Sequence, residues 1–195
     1  MPASSLDNLL RSRPADVFAA LGMAAGSLSA AFGQSSSLEF AALKPLAMAF
    51  LLDPGALPIG VFYGVAMGLG MAAWTRKPWV GLFVLVTTLY AWSFAIHTAI
   101  RLQRNAGDDL HLIAGSLAAG AVGAGITHLG CAVFAVDLRR PPWRIALTCA
   151  VGAVFGMLFY FGERKILDER LLFFLWQPAV AFAIGLGLPR QKEGA

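Results

Sequence analysis

The chain has 195 residues, 58% of them hydrophobic and 13% charged, with a formal net charge of +4, a pI of 9.4 and a mean hydropathy of +0.69. A soluble globule carries about a quarter of its residues charged, so this composition excludes an ordinary water-soluble domain and implies an all-α integral membrane protein. The positive balance is no nucleic-acid footprint, because the basic residues fall in short clusters between apolar runs, where they act as topology signals.

Residues 1 to 14 are polar, and Arg11, Arg13 and Pro14 lead into an uncharged run over 17–38, long enough to span a bilayer core that needs about 20 residues. A cleavable signal peptide is the competing reading, since two arginines precede an apolar stretch and Ser29 to Ala31 are small. Residues 34–55 form a connection with Lys44-Pro45 and Asp53-Pro54; its apolar piece LAMAFLL is too short to cross and reads as a surface or re-entrant helix.

The second span is expected over 56–74, ending at Trp74-Thr75-Arg76-Lys77-Pro78, and the third over 79–100, followed by a loop over 101–109. The fourth is placed at 112–136, the fifth at 143–161, and the sixth at 171–188 after the charged turn GERKILDER. The expected fold is therefore a single membrane domain over 1–195, a bundle of six transmembrane helices with both termini on one side.

Lysine and arginine in short loops set orientation, because cytoplasmic loops retain them. One side has Arg11, Arg13, Arg76, Lys77, Arg139, Arg140, Arg144, Arg190 and Lys192; the other has Lys44, Arg101, Arg104, Arg164, Lys165 and Arg170. The first set is larger, which puts both termini in the cytoplasm of a multi-pass protein, read here as one of a bacterial inner membrane. Trp74, Trp79 and Trp143 lie at expected interfaces, where an amphipathic ring sits at headgroup level.

At an offset of 88 positions, Pro54, Gly64, Gly68, Arg76 and Lys77 fall on Pro142, Gly152, Gly156, Arg164 and Lys165, and Ala91, Phe94, Ala95 and Ile96 fall on Ala179, Phe182, Ala183 and Ile184. Two units, 15–104 and 105–192, would each hold three spans, and an odd number inverts the second. Inverted repeats are a signature of transporters, whose sites lie near the midplane between the halves. Chance similarity in an Ala/Gly/Leu-rich membrane chain is the alternative.

Small residues recur every four positions at Gly60, Gly64 and Gly68, at Gly22, Gly26 and Ala30, at Gly115, Ala119 and Gly123, and at Gly152 and Gly156. Such stripes let helix backbones approach closely. They pack the bundle internally, or offer a face to a homo-oligomer or a membrane partner subunit; apart from these and the lipid bilayer no partner is implied.

No carboxylate or basic side chain falls well inside a span, so the polar groups that remain carry the information. They are Thr87 and Thr88 in the third span, Thr127 and His128 in the fourth, Thr148 in the fifth, and Gln177 before Pro178 in the sixth. Thr87, Thr88, Thr127, His128 and Gln177 are the candidate lining of a solute site. Against that stands a purely structural role, with His128 bonded to a threonine or carbonyl of a neighbouring helix and Gln177 serving the carbonyl that Pro178 leaves free.

His97, His111, Asp108 and Asp109 gather near the outer end of the third and fourth spans without the spacing of a metal motif, and read as a solvated loop. Cys131 and Cys149, inside apolar runs and without CxxC spacing, read as buried free thiols. No GxSxG, HExxH or P-loop is present, which points away from an enzyme; a lipid-modifying activity would fall to Lys44-Pro45 and Asp53-Pro54. No cofactor or metal is implied. The expectation is a transporter, channel or solute-binding membrane component for a small solute, with a non-catalytic subunit of a larger complex as the alternative.

Overall fold

Proline opens two of the long helices and a two-proline turn precedes a third, as expected of a residue whose missing N–H costs nothing at a first helical turn. The computed structural model describes residues 5–32, 52, 57–104 and 109–190. A short helix α1 (Ser5–Ser12) leads through Arg13 into α2 (Pro14–Phe32). Then come α3 (Leu57–Thr75), α4 (Pro78–Arg104) and α5 (Asp109–Ala132). A four-residue turn of helix, α6 (Val136–Arg139), precedes α7 (Trp143–Glu163) and α8 (Arg170–Leu186). Among the described residues there is no strand.

Five of these helices, α2, α3, α4, α5 and α7, are long and apolar enough to cross a membrane, whereas α8 is apolar but has only 17 residues. Their outer surface is that of a protein solvated by lipid: Leu82 and Val154 are about two-thirds exposed, and Leu69, Phe94 and Leu129 more than half. Large apolar side chains stand outward on every long helix, while Ser29, Thr88, Ser93, Ser116, Thr127, His128, Thr148 and Gln177 are buried.

The boundaries depart from expectation where side chains, rather than hydropathy, end a helix. α2 begins at Pro14 instead of residue 17; residues 33–38 of that expected span, and the surface or re-entrant helix expected within 34–55, lie outside the described residues. The helix α4 continues to Arg104, so 101–104 of the expected 101–109 loop are helical and Asp109 already belongs to α5, while 105–108 lie outside the described residues. α5 ends at Ala132 rather than 136 because Arg139 reaches back, its Nε donating to Ala132 O at 2.7 Å and its Nη2 to Val133 O. Those are carbonyls that a helix end leaves without partners.

α2, α3, α4, α5, α7 and α8 form a closed ring in which each packs on the next in sequence and α8 returns to α2. One end of the ring carries Arg76, Lys77, Arg139, Arg140 and Arg144 and is here called the basic end. Trp79 and Trp143 stand exposed there. At this end the interior is filled: Phe18, Met67, Met71, Val80, Val84, Val180 and Ile184 are fully buried.

Glycine sets three of the ring contacts. At Gly22 and Gly26 of α2 the backbone of α8 lies so close that an added methyl would stand 2.7 Å from Pro178 Cα and 2.5 Å from Phe173 O. At Gly64 and Gly68 of α3 it would meet α4, at 3.1 Å from Leu85 O and 2.6 Å from Gly81 O; at Gly60 it meets Leu89 of the same helix at 3.1 Å. At Gly152 and Gly156 of α7 it would meet α5, through Gly120 and, at 2.6 Å, Ser116 O. The stripes are therefore internal packing surfaces, close enough for dispersion to hold backbones together where lipid supplies no hydrophobic drive. Gly64 and Gly68 face the helix that follows theirs, whereas Gly152 and Gly156 face the helix that precedes theirs.

Candidate functional site: a vestibule inside the helix ring

The intramembrane residues expected to line a solute site are all accounted for by their neighbours, with one exception. Thr127 Oγ1 donates to Gly123 O at 2.9 Å, Thr88 Oγ1 to Val84 O at 2.7 Å and Thr87 Oγ1 to Val84 O at 3.0 Å. These bonds return each hydroxyl to its own helix, the usual refuge of a threonine away from water. Thr87 also packs on α5 at Gly130.

His128 turns to α6 and α7. Its Nε2 lies 3.1 Å from Leu138 O and its Nδ1 2.9 Å from Thr148 Oγ1. A carbonyl only accepts, so Nε2 carries the proton; in the neutral ring Nδ1 then accepts the Thr148 hydroxyl proton. That hydroxyl also lies 3.0 Å from Arg144 O, and Arg144 Nη1 donates to Asp137 O and, at 2.8 Å, to Gly187 O. His128 thus sits in a polar knot that ties α5, α6, α7 and the end of α8 together at the basic end.

Gln177 is the exception. Its Nε2 donates to Ser29 Oγ of α2 at 2.9 Å, not to the carbonyl freed by Pro178, and its buried Oε1 has no partner. The five candidate residues therefore do not converge on one site.

What the ring does enclose is a cavity of about 440 Å³ at the end opposite the basic one. Trp92 of α4 and Trp176 of α8 form its floor together with Gly123 of α5; Ala95, Ala99, Ala119, Gly120 and Phe173 form the walls. Glu163 and Glu169 stand where α7 ends and α8 begins, at the mouth. None of Thr87, Thr88, Thr127, His128 and Gln177 lines it. This volume lies within the range of small-molecule pockets, roughly 300–1,000 Å³.

The floor is rigid. Trp176 Nε1 donates to Gly152 O at 3.0 Å, and the Trp176 ring meets those of Trp92 and Tyr63 edge to face, with centroids 5.2 and 5.7 Å apart. Trp92 is 8% exposed and its indole N–H has no partner; neither has the fully buried Tyr63 hydroxyl. Desolvated donors of this kind are rare in a finished core.

Paired charges surround the mouth. Arg164 bonds Asp109, and Lys165 bonds Glu169; the hydrogen bond it donates to Glu169 holds the Lys165 ammonium above its ordinary range. Asp168 Oδ1 accepts the Arg170 N–H at 2.8 Å. Of the four residues expected as an outer loop, His97 and His111 lie within α4 and α5, Asp109 opens α5, and Asp108 lies outside the described residues. Among the described residues no three His, Cys, Asp or Glu side chains are grouped to hold a metal. Cys131 is buried and Cys149 half-buried, both as free thiols.

Sequence reasoning missed the vestibule, although its signals were present. The Gly115-Ala119-Gly123 stripe was read as a helix contact, yet Ala119 and Gly123 border the cavity; two tryptophans at mid-span, Trp92 and Trp176, carried no expectation at all. Comparison with protein-family models, with curated proteins and with solved structures finds no match to this chain.

Proposed function

We propose that this is a multi-pass membrane protein that binds a small, largely apolar molecule in the vestibule. The observation that carries the reading is the cavity itself: a tightly packed ring leaves about 440 Å³ open between small side chains, over a floor of locked tryptophans. Voids larger than a water molecule are few in packed protein. In this reading α8 crosses as a sixth span, since 17 residues is the short limit for crossing. In the same reading both termini are cytoplasmic and the vestibule opens on the opposite face of a bacterial inner membrane, a reading supported by the excess of arginine and lysine at the basic end.

Binding is favoured over open passage because the basic end of the ring is filled by fully buried side chains. The reading does not rest on an inverted repeat. A two-fold axis in the membrane plane relating the halves would carry the α3–α4 contact onto α7–α8, yet the matched glycines pack α7 onto α5.

The test uses a variant with Trp74, Trp79 and Trp143 replaced by phenylalanine, in lipid nanodiscs, leaving Trp92 and Trp176 as the fluorophores. Bromohexane should quench this emission saturably, and Gly123→Leu, which fills the floor, should abolish the saturable part. Equal quenching in both proteins would sink the proposal.

A further inference from the structure

We propose that the vestibule selects molecules that carry an ammonium group on an apolar tail, with Glu169 and Glu163 receiving the cation and Lys165 acting as a built-in competitor. This rests on the reading that the vestibule binds a ligand. Three features point to that ligand chemistry. Among the described residues, the charged ones bordering the cavity are the two carboxylates at its mouth, while its depth is lined by alanine, glycine and aromatic rings. A tail is accepted below and a positive charge above.

Next, Glu169 already holds an ammonium. Lys165 Nζ bonds its Oε1, and both side chains are substantially exposed, at 77% and 42%. Exposed pairs of this kind contribute little and exchange readily, so an incoming cation with a tail to bury displaces Lys165 while a neutral or anionic head gains nothing. Lys165 is held in place from the backbone: it ends α7 with φ of 56°, its N–H bonding Gly162 O at 2.8 Å and the next N–H, of Ile166, bonding Phe161 O at 2.9 Å. This is the Schellman arrangement that closes many helices. Of the guanidinium groups near the mouth, that of Arg164 is occupied by Asp109.

Finally, Trp92 borders the cavity with its indole N–H unpartnered and the side chain more than nine-tenths buried. An alkylammonium offers no acceptor, so water that enters with the ligand completes that donor, as buried polar groups require.

An amine of this description is either a free amphiphile or the headgroup of an amine lipid. The test measures binding of hexylammonium, hexanol and hexanoate, one tail with three heads, by the emission of Trp92 and Trp176 in the same nanodisc-embedded variant. Hexylammonium should bind about ten-fold tighter than hexanol, the scale of one charge-assisted contact, and hexanoate weakest. Glu169→Gln should remove that advantage and leave hexanol unchanged. Lys165→Ala should strengthen hexylammonium binding about three-fold, an increase that a structural role for Lys165 does not give.

Equal binding of the three probes overturns cation selection and leaves the vestibule as an apolar site. No response to any probe, with Gly123→Leu also silent, overturns both. If hexylammonium binds more weakly in discs of phosphatidylethanolamine than in discs of an uncharged glycolipid, the lipid amine competes for the same carboxylates. Equal affinity in the two discs assigns the site to a free amine.

Discussion

A single methyl at Gly120 should separate α5 from α7, whereas one at Gly123, three residues along the same helix, should be nearly silent. At Gly120 the added carbon would be driven into Gly152 O and stand 2.9 Å from Gly156 Cα. These are backbone atoms of a facing helix and cannot rotate aside, so the helices must part by roughly 1 Å, which forfeits a quarter to a half of each dispersion contact along the seam. Overpacking of this kind costs about 1–3 kcal/mol. Because three glycines share the seam the upper value applies, offset by about 1 kcal/mol from the better helix propensity of alanine. At Gly123 the methyl meets Ala95 Cβ at 3.3 Å and Trp176 Cζ2 at 3.5 Å, both bordering the vestibule, where there is room to yield. Unfolding in mixed detergent and dodecyl sulfate micelles, followed by circular dichroism, should show Gly120→Ala destabilised by about 2 kcal/mol and Gly123→Ala within about 0.5 kcal/mol of wild type. Equal stability of the two variants, or the reverse order, would refute the assignment of Gly120 to the seam and Gly123 to the cavity.

Three further outcomes follow from other parts of the ring. Replacing His128 with Ala leaves Leu138 O and Thr148 Oγ1 without the imidazole; at about 0.6–1.7 kcal/mol per intramembrane hydrogen bond, thermal unfolding should register a loss of about 1–3 kcal/mol, and Thr148→Val about half of it. Arg76 ends α3 with φ of 57°, so Arg76→Gly should be more stable than Arg76→Ala by about 1 kcal/mol in the same assay, since both lose the side chain's contacts and only alanine keeps a Cβ in the left-handed region, at a cost of about 1–2 kcal/mol. The Lys165 ammonium is held above its ordinary range by Glu169, so the ion pair is complete below the free-lysine pKa and is lost only as pH rises through the elevated one. Binding of a tetraalkylammonium probe, whose own charge is independent of pH, should therefore strengthen at that alkaline step and not earlier; Lys165→Ala should be flat across it.

The helices were legible because hydropathy and proline placement speak directly: α3 and α7 begin and end within two residues of expectation. The vestibule was not, because a glycine or alanine reports only that something is near or that nothing is. Both Gly120 and Gly123 border the vestibule, yet Gly120 also admits a facing backbone whereas Gly123 meets only side chains, and no periodicity separates the two. The polar residues did not point to the vestibule, for a related reason. Thr87, Thr88 and Thr127 are satisfied within their own helices, so rarity in an apolar span marked them as costly without marking them as functional. His128 was the more instructive of these, because Leu138, one of its partners, lies in a turn of helix that hydropathy had merged into the neighbouring span and loop.

The 88-residue echo has its own physical origin. Arg76-Lys77 and Arg164-Lys165 both close helices, where a cation complements the dipole, and in both a basic residue takes the left-handed position, but at Arg76 in one and Lys165 in the other, one residue out of register. The shared glycines face opposite neighbours in the chain order. A two-fold axis in the membrane plane reverses the order of helices around a closed ring, whereas a shift by three spans preserves it, so a ring with consecutive neighbours does not accommodate that axis.

What organises the molecule instead is the contrast between its ends. At the basic end His128, Thr148, Arg144 and the carbonyls of Leu138, Asp137 and Gly187 form one network beneath a filled core. At the other end the same helices stand around empty volume bounded by exchangeable surface ion pairs. Continuous passage would require the network to open, at several intramembrane hydrogen bonds of about 0.6–1.7 kcal/mol each, while the proposed entry of a ligand from the vestibule side exchanges the exposed Lys165–Glu169 pair. Ligand entry should therefore leave hydrogen exchange at the basic end, around 128–148, unchanged and slow it in α4 and α8 at the vestibule; slowing at both ends would mean that the two are coupled and that the closed core is one state of a passage.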